Sequence, residues 1–223
     1  MTSQPFGGDK KVGQSFLHKP EQAIVQALTV RMPRWIKSTH LTLASIPISV
    51  AIIVCGFLGK DQIEWLWPVS VLIVLQWLTD SLDGAVGRYR KEGLIKWGYY
   101  MDHLLDFFFL AALLIGYMLI LPDNSKWIHF FVLVIFGGFM VNSYLAFGAT
   151  NHFRVSHLGF GPTEARLLFI LINTLIIFFG KTYMAPALPY IFGLATTCLI
   201  IVVYRTQKEI LRMDMEAKRE IDK

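Results

Sequence analysis

The sequence predicts an all-α protein: a six-helix transmembrane bundle with an N-terminal amphipathic helix at the membrane interface. Of the 223 residues, 54% are hydrophobic and only 17% are charged. The apolar residues fall into six blocks, each close to the roughly 20 residues that a helix needs to cross the hydrocarbon core. The six predicted spans are approximately residues 41–58, 65–82, 99–121, 127–149, 163–180 and 183–204.

The chain before the first span predicts a cytoplasmic N-terminal segment, residues 1–40. Within it, residues 21–36 mix apolar positions such as Leu28 with Arg31 and Arg34. This mixture is typical of an amphipathic helix that lies in the interface plane. The spans themselves, residues 41–204, are expected to form one six-span membrane domain. A charged cytoplasmic tail, 205–223, follows them.

The positive charges predict the orientation in the membrane. Eighteen of the 21 Lys and Arg residues lie in the two terminal segments and in the two connections on the same membrane side. By the positive-inside rule, both termini and the connection between spans two and three are cytoplasmic. The net charge of +5 then reflects topology and attraction to anionic lipids. The sequence has no basic patch interleaved with aromatic residues, so we expect membrane lipids and not nucleic acid as partners.

Four aspartates lie where spans two and three face their shared connection. Ionisable groups near membrane depth are costly unless they pair, bind a cation or line a wet cavity. Residues four apart on a helix share a face, and this spacing sorts the region into three stripes. The stripes are Asp80, Gly84 and Arg88; Asp83 and Gly87; and Gly98, Asp102 and Asp106.

The chemistry of these side chains favours a divalent metal. An oxygen-rich set without Cys or a His cluster suits Mg²⁺, Mn²⁺ or Ca²⁺ better than zinc or copper. Two such cations suit phosphoryl transfer, because they bridge a diphosphate and neutralise the leaving group. An ion-coupling site of a transporter and a structural salt-bridge cluster are the alternatives. The interleaved glycines argue against the salt-bridge cluster, which has no need for them.

The same residues resemble the signature of the CDP-alcohol phosphotransferase (CDP-alcohol phosphatidyltransferase) family. That signature is Asp-x-x-Asp-Gly-x-x-Ala-Arg, eight residues, then Gly-x-x-x-Asp-x-x-x-Asp. The resemblance covers residues 80–106, with Gly87 at the alanine position. Nine residues, Tyr89 to Trp97, separate the two halves instead of eight. We expect the extra residue to lie in a loop between helices.

The resemblance implies a role for each matching residue. Two ions, Mg²⁺ or Mn²⁺, would be held by the aspartates, and one aspartate would also be the general base that activates the acceptor hydroxyl. The implied metal ligands are Asp80, Asp83, Asp102 and Asp106, with Asp106 as the base. The implied lining of the cytidine diphosphate pocket is Asp83, Gly84, Gly87, Arg88 and Gly98. Family members are commonly homodimers, which we adopt as an expectation.

The implied reaction transfers a substituted phosphate from a CDP-alcohol to an acceptor alcohol and releases CMP, as in phospholipid biosynthesis. We expect CDP-diacylglycerol as the donor. The alternative is transfer from CDP-choline or CDP-ethanolamine to diacylglycerol, since His103 gives the Asp-His-x-x-Asp form of those enzymes. A cation-coupled transporter and an inactive lipid-binding family member are further alternatives. Near span five, Arg154, Glu164 and Arg166 are candidates for binding the phosphate of an acceptor or a lipid.

Overall fold

The computed structural model describes residues 11–12, 17–121, 126–150, 153–154, 161–180 and 184–221. Its elements follow the apolar blocks of the sequence. A pair of two-residue strands joins Lys11 to Phe153 and Val12 to Arg154 in parallel. The elements are β1 Lys11–Val12, α1 His18–Arg31, α2 Ser38–Leu43, α3 Ser45–Leu58, a 3₁₀ turn Ile63–Trp65, α4 Leu66–Arg90, α5 Ile95–Ile120, α6 Lys126–Thr150, β2 Phe153–Arg154, α7 Pro162–Phe179 and α8 Met184–Ile221.

Six stretches are long and apolar enough to cross a membrane within the part of the chain that the structure describes. The first combines α2 and α3 in Ser38–Leu58, and the others correspond to α4, α5, α6, α7 and α8. Large apolar side chains project from the outside of the bundle. Among them are Leu145, Phe178 and Leu194, which are 69%, 70% and 69% exposed. Such surfaces are expected to face lipid. The predicted all-α transmembrane bundle is confirmed.

The connection between spans two and three is much shorter than the sequence suggested. The predicted span two ended at residue 82, whereas α4 continues to Arg90. Lys91 then adopts a left-handed conformation with φ of 54°, and the Glu92 amide donates to the Gly87 carbonyl at 3.0 Å. This is a Schellman-type helix end. Five of the nine spacer residues are helical, two at the end of α4 and three at the start of α5. Residues 91–94 form the loop between the two helices, and the signature residues of α4 are all on one helix.

The core lies between α3, α4, α5 and α7. Ile52, Ile73 and Leu113 are at most 1% exposed and contribute one residue each from α3, α4 and α5. Helices α3 and α5 approach most closely at two glycines. A Cβ atom added to Gly56 would lie 2.5 Å from the Cα of Gly116. This small-residue contact is the kind that lets membrane helices pack backbone to backbone, and it fixes α5 against α3.

A polar chain connects three helices inside this apolar core. The Tyr117 hydroxyl on α5 donates to Asn173 Oδ1 on α7 at 2.7 Å, and Asn173 Nδ2 donates to Ser70 Oγ on α4 at 3.0 Å. Asn173 is completely buried. Because buried polar groups in an apolar medium need partners, these bonds hold α4, α5 and α7 in one arrangement. The candidate site is formed by the same three helices.

Helix α1 is docked on α4 at the end that carries the signature. Val25 and Leu28 of α1 pack against Leu82 and Val86 of α4. The Arg90 guanidinium donates to the carbonyl oxygens of Met32 and Pro33 at 2.7 and 3.0 Å, and also to that of Ile36. These carbonyls follow the last turn of α1, where the helix itself supplies no donor. The segment predicted to lie at the interface is therefore attached to α4.

Candidate metal and phosphoryl-transfer site

Three of the four signature aspartates converge in the structure. Asp80 comes from α4, while Asp102 and Asp106 lie one turn apart on α5. Each offers one carboxylate oxygen, and the three oxygens all lie within 4.8 Å of one another. All three residues are half-buried. The carboxylates of α4 and α5 thus come together for three of the four aspartates that the helical spacing singled out.

Arg166 of α7 reaches into this group of carboxylates. Its Nη2 atom donates to Asp80 Oδ2 at 2.9 Å and to Asp106 Oδ1 at 3.3 Å. The guanidinium carbon lies 5.8 Å from the centre of the Phe109 ring, within cation–π range. Arg166 is 7% exposed. A buried arginine is tolerated only when its charge is paired, and here the pairing is with two of the candidate metal ligands.

Gln76 completes the same network. It lies one turn before Asp80 on α4 and is completely buried. Its Oε1 atom accepts a hydrogen bond from Arg166 Nε at 2.8 Å, and its Nε2 atom donates to Asp106 Oδ1 at 3.4 Å. The two partners lie 90 and 30 residues away in the sequence. The amide therefore connects α4, α5 and α7 beside the carboxylates.

Asp83 faces a different neighbour from Asp80. Its Oδ2 atom accepts a hydrogen bond of 2.6 Å from the Thr42 hydroxyl on α2, and its Oδ1 atom accepts from the amide of Gly84. Asp83 is buried. Residues three apart on a helix differ by about 60° around the axis, so Asp83 turns toward α2. In the described residues it is not part of the group of three carboxylates within 4.8 Å.

The predicted glycines differ in their surroundings. A Cβ added at Gly84 would lie 3.0 Å from Arg88 Nη1, so the Arg88 guanidinium covers Gly84. A Cβ at Gly87 would lie 3.4 Å from the Cβ of Ser38, so Gly87 allows α2 to approach α4. A Cβ at Gly98 would meet nothing within 4 Å. Gly84 and Arg88 thus form one surface beside Asp80, whereas Gly87 has a packing contact.

Glu164, another candidate near span five, binds backbone amides at the starts of two helices. Glu164 Oε2 accepts from the Gly161 amide at 2.9 Å and Oε1 from the Leu17 amide at 3.1 Å. Glu164 therefore caps the start of α7 and ties it to the start of α1. The backbone of Arg154 lies in β2, and its side chain lies outside the described residues.

His103 packs in an aromatic cluster next to Asp102. Its ring centre lies 4.3 Å from that of Tyr99 and 5.4 Å from that of Tyr144. Its Nδ1 atom is 2.8 Å from the Tyr99 carbonyl and 3.5 Å from Asp102 Oδ2. The 2.8 Å contact requires the proton on Nδ1. One nitrogen of the His103 ring therefore lies beside the Asp102 carboxylate.

The sequence analysis did not identify Gln76 or Thr42 as part of the site. A signal for Gln76 was present, because an amide inside an apolar run, four residues before Asp80, shares the face of that aspartate. Thr42 gave no comparable signal. Its contact with Asp83 spans 41 residues and depends on how α2 crosses α4.

The arrangement is chemically suited to a hard divalent cation. Its donors are all carboxylate oxygens, and they converge from two helices. Such a donor set fits Mg²⁺ or Mn²⁺. Arg166 adds a positive charge that could accompany phosphate groups.

Comparisons with known proteins agree with this geometry. A sequence model of the family described as CDP-alcohol phosphatidyltransferase matches residues 35–205. The chain is also similar to "Inner membrane protein YnjF" of Escherichia coli (strain K12), with 32% identity over 107 residues. That match covers 48% of this chain and 49% of the other protein, so the chain spans about half the length of this curated relative. This integral membrane protein belongs to the CDP-alcohol phosphatidyltransferase family.

Proposed function

We propose that the protein transfers a substituted phosphate from a CDP-alcohol to an acceptor alcohol, releasing CMP, in phospholipid biosynthesis. The observation that carries the proposal is the convergence of Asp80, Asp102 and Asp106 within 4.8 Å. Family membership supplies the transferase class. A group of carboxylates at one end of two membrane helices suits a reaction in which charged phosphates must be bound beside the bilayer.

Two divalent ions, Mg²⁺ or Mn²⁺, are proposed as cofactors. Asp80, Asp102 and Asp106 fit as their ligands because their oxygens converge. Asp83 is the proposed fourth ligand. Its carboxylate accepts from Thr42 and from the Gly84 amide, so it would bind an ion through the acceptor positions that these two bonds leave. When bound, such ions neutralise charge on the diphosphate and on the departing CMP.

The protein's own side chains are assigned the remaining tasks. Asp106 is the proposed general base. It takes the proton of the acceptor hydroxyl while the oxygen of that hydroxyl attacks the phosphorus distal to cytidine. The phosphorus–oxygen bond to CMP then breaks. Asp83, Gly84, Gly87, Arg88 and Gly98 are the proposed lining of the nucleotide pocket. The Arg88 guanidinium lies over Gly84, where it can donate hydrogen bonds to a phosphate oxygen.

We propose CDP-diacylglycerol as the donor and a small polar alcohol as the acceptor. Asp80 lies 14 residues after Leu66, the start of α4, or about 21 Å along the helix. The hydrocarbon core is about 30 Å thick, so a span that enters the core at Leu66 would hold Asp80 about 10 Å from the opposite headgroup region. A lipid and a water-soluble molecule can meet there. Transfer from CDP-choline or CDP-ethanolamine to diacylglycerol is the second candidate, favoured by the contact between His103 and Asp102.

The remaining proposals concern organisation. The charge distribution supports cytoplasmic termini and a cytoplasmic site. We retain the division into an N-terminal segment, 1–40, a catalytic domain, 41–204, and a tail, 205–223, although α8 runs without a break from Met184 to Ile221. A homodimer is proposed by analogy with the family. Arg154 is kept as a candidate for the phosphate of an acceptor or lipid.

The test is CMP release by the detergent-purified protein with Mg²⁺ or Mn²⁺. CDP-diacylglycerol, CDP-choline and CDP-ethanolamine are each offered with a panel of alcohols and diacylglycerol. We expect CMP only when a metal, a donor and an acceptor are all present. A scaffold protein would bind cytidine nucleotide without releasing CMP with any pair. A cation-coupled transporter reconstituted in vesicles would carry ions and release no CMP.

A further inference from the structure

Arg166 lies in an enclosed position that a merely phosphate-binding arginine does not need. Its Nε atom is bonded to Gln76, and its Nη2 atom is bonded to Asp80 and Asp106. The Phe109 ring covers the guanidinium carbon at 5.8 Å. Arg166 is 7% exposed and Gln76 is completely buried. Four groups on α4 and α5 therefore hold one charged side chain of α7.

We propose that Arg166 is the built-in counter-ion of the acidic cluster, and that Gln76 is the positioning residue that holds it between Asp80 and Asp106. In this assignment the guanidinium competes with the metal for carboxylate oxygens. The inference rests on the proposed metal-dependent function. It adds a residue that the signature does not contain, Gln76, and gives Arg166 a role toward the metal ligands themselves.

The charges at the site require such a counter-ion. Three carboxylates with oxygens within 4.8 Å repel one another strongly in a partly buried environment. An arginine at the same place is itself costly to bury unless it is paired. The two costs offset each other when Arg166 donates to Asp80 Oδ2 and Asp106 Oδ1. A divalent cation that binds these oxygens must therefore displace the Arg166 guanidinium or share the carboxylate oxygens with it.

Gln76 is suited to positioning because its amide has a donor and an acceptor in fixed relation. Its oxygen accepts from Arg166 Nε at 2.8 Å, and its nitrogen donates toward Asp106 Oδ1 at 3.4 Å. Both partners are thus aligned by one side chain. A carboxylate at position 76 would add charge, and an apolar residue would leave Arg166 Nε without this acceptor. Neither replacement reproduces the amide.

The test measures Mn²⁺ affinity of the metal-free, detergent-purified full chain by electron paramagnetic resonance of the free ion. The variants are Arg166→Met, Arg166→Lys and Gln76→Met. Removing a unit charge about 5 Å from a divalent ion should tighten its binding at least about tenfold, so the Kd of Arg166→Met falls by that factor. Arg166→Lys retains the charge and should stay within about threefold of wild type. The Mn²⁺ Kd of Gln76→Met should lie between those of Arg166→Met and Arg166→Lys.

Asn173→Leu is the matched control. Asn173 is also a completely buried polar residue of α7 bonded to α4 and α5, but its partners are not carboxylates. Its loss should lower the melting temperature and leave the Mn²⁺ Kd unchanged. The readout therefore separates a role toward the metal from a merely structural role of the polar links between these helices.

The outcomes distinguish the inference from the proposed function. If wild type binds no Mn²⁺, both are overturned. If wild type binds Mn²⁺ and Arg166→Met binds it with the same or weaker affinity, only the counter-ion assignment is overturned. If Arg166→Met folds only when purified with Mn²⁺, the assignment is supported, since the metal then replaces the missing charge. If it fails to fold with or without Mn²⁺, an unchanged Kd in Gln76→Met overturns the assignment.

Discussion

The contact between α3 and α5 makes a sharp prediction, because it is a contact between backbones. In Gly56→Ala the new Cβ would lie 2.5 Å from the Cα and 3.0 Å from the carbonyl oxygen of Gly116. Neither atom belongs to a side chain that can rotate away. Helix α5 must therefore move, and α5 carries both Asp102 and Asp106.

The magnitude follows from two opposing effects. Overpacking a tight contact costs about 1–3 kcal/mol, while replacing a helical glycine by alanine contributes about 1 kcal/mol of stability. The net destabilisation of Gly56→Ala is therefore between about 0 and 2 kcal/mol. For a chain of this size, 1 kcal/mol corresponds to about 2–4 °C. We expect no rise in the melting temperature and a fall of up to about 8 °C.

Alanine substitutions at two further glycines, Gly138 and Gly193, are the controls. A Cβ at Gly138 would meet only the flexible end of Leu199, at 2.9 Å, and one at Gly193 would meet nothing within 4 Å. Gly193→Ala should therefore raise the melting temperature by about 2–4 °C, and Gly138→Ala should leave it nearly unchanged. The assay is thermal unfolding in detergent, combined with CMP release. If Gly56→Ala stabilises the protein as much as Gly193→Ala, the close α3–α5 contact is refuted.

Two other contacts give predictions of their own. Thr42→Val removes a 2.6 Å hydrogen bond to Asp83; since bonds to charged groups contribute about 1.5–3 kcal/mol, the Kd for CDP-alcohol should rise at least about tenfold. Thr174→Val, which loses only a bond to its own helix, is the control, and equal affinities in both variants would contradict the role of Asp83. Arg90→Met removes the donors at the end of α1, so limited proteolysis between α1 and α2 should become faster. Arg212→Met, at an exposed ion pair, is the control and should be cleaved at the wild-type rate. If Arg90→Met is also cleaved at the wild-type rate, α1 is held by its apolar face alone.

Much of the fold was predictable because lipid imposes a strict rule on the sequence. A span must be helical and apolar for about 20 residues, so the six blocks located the six crossing helices. The i, i+4 spacing also placed Asp102 and Asp106 on one face toward Asp80. The same reasoning failed at the end of α4. The apolar block ends at Leu82, but the helix continues to Arg90 and stops only where Lys91 adopts its left-handed conformation.

The rest of the site depends on helix packing, which periodicity does not encode. Gln76 and Arg166 meet although 90 residues separate them, and Thr42 reaches Asp83 only because α2 crosses α4 where Gly87 leaves room for Ser38. The stripe containing Asp83 and Gly87 was visible in the sequence. Its partner was not, since the sequence gives no angle between helices. The role of Glu164 could not be predicted either, because its carboxylate accepts from the Leu17 amide at the start of α1, 147 residues away in the sequence.

The most direct test of the central claim compares CMP release and nucleotide binding in wild type and Asp106→Asn. Asparagine keeps the size of the side chain but cannot take a proton from an alcohol. We predict metal-dependent CMP release by wild type, a loss of at least about a hundredfold in Asp106→Asn, and CDP-alcohol binding retained within about tenfold. Undiminished CMP release by Asp106→Asn would contradict the assignment of this carboxylate as the base.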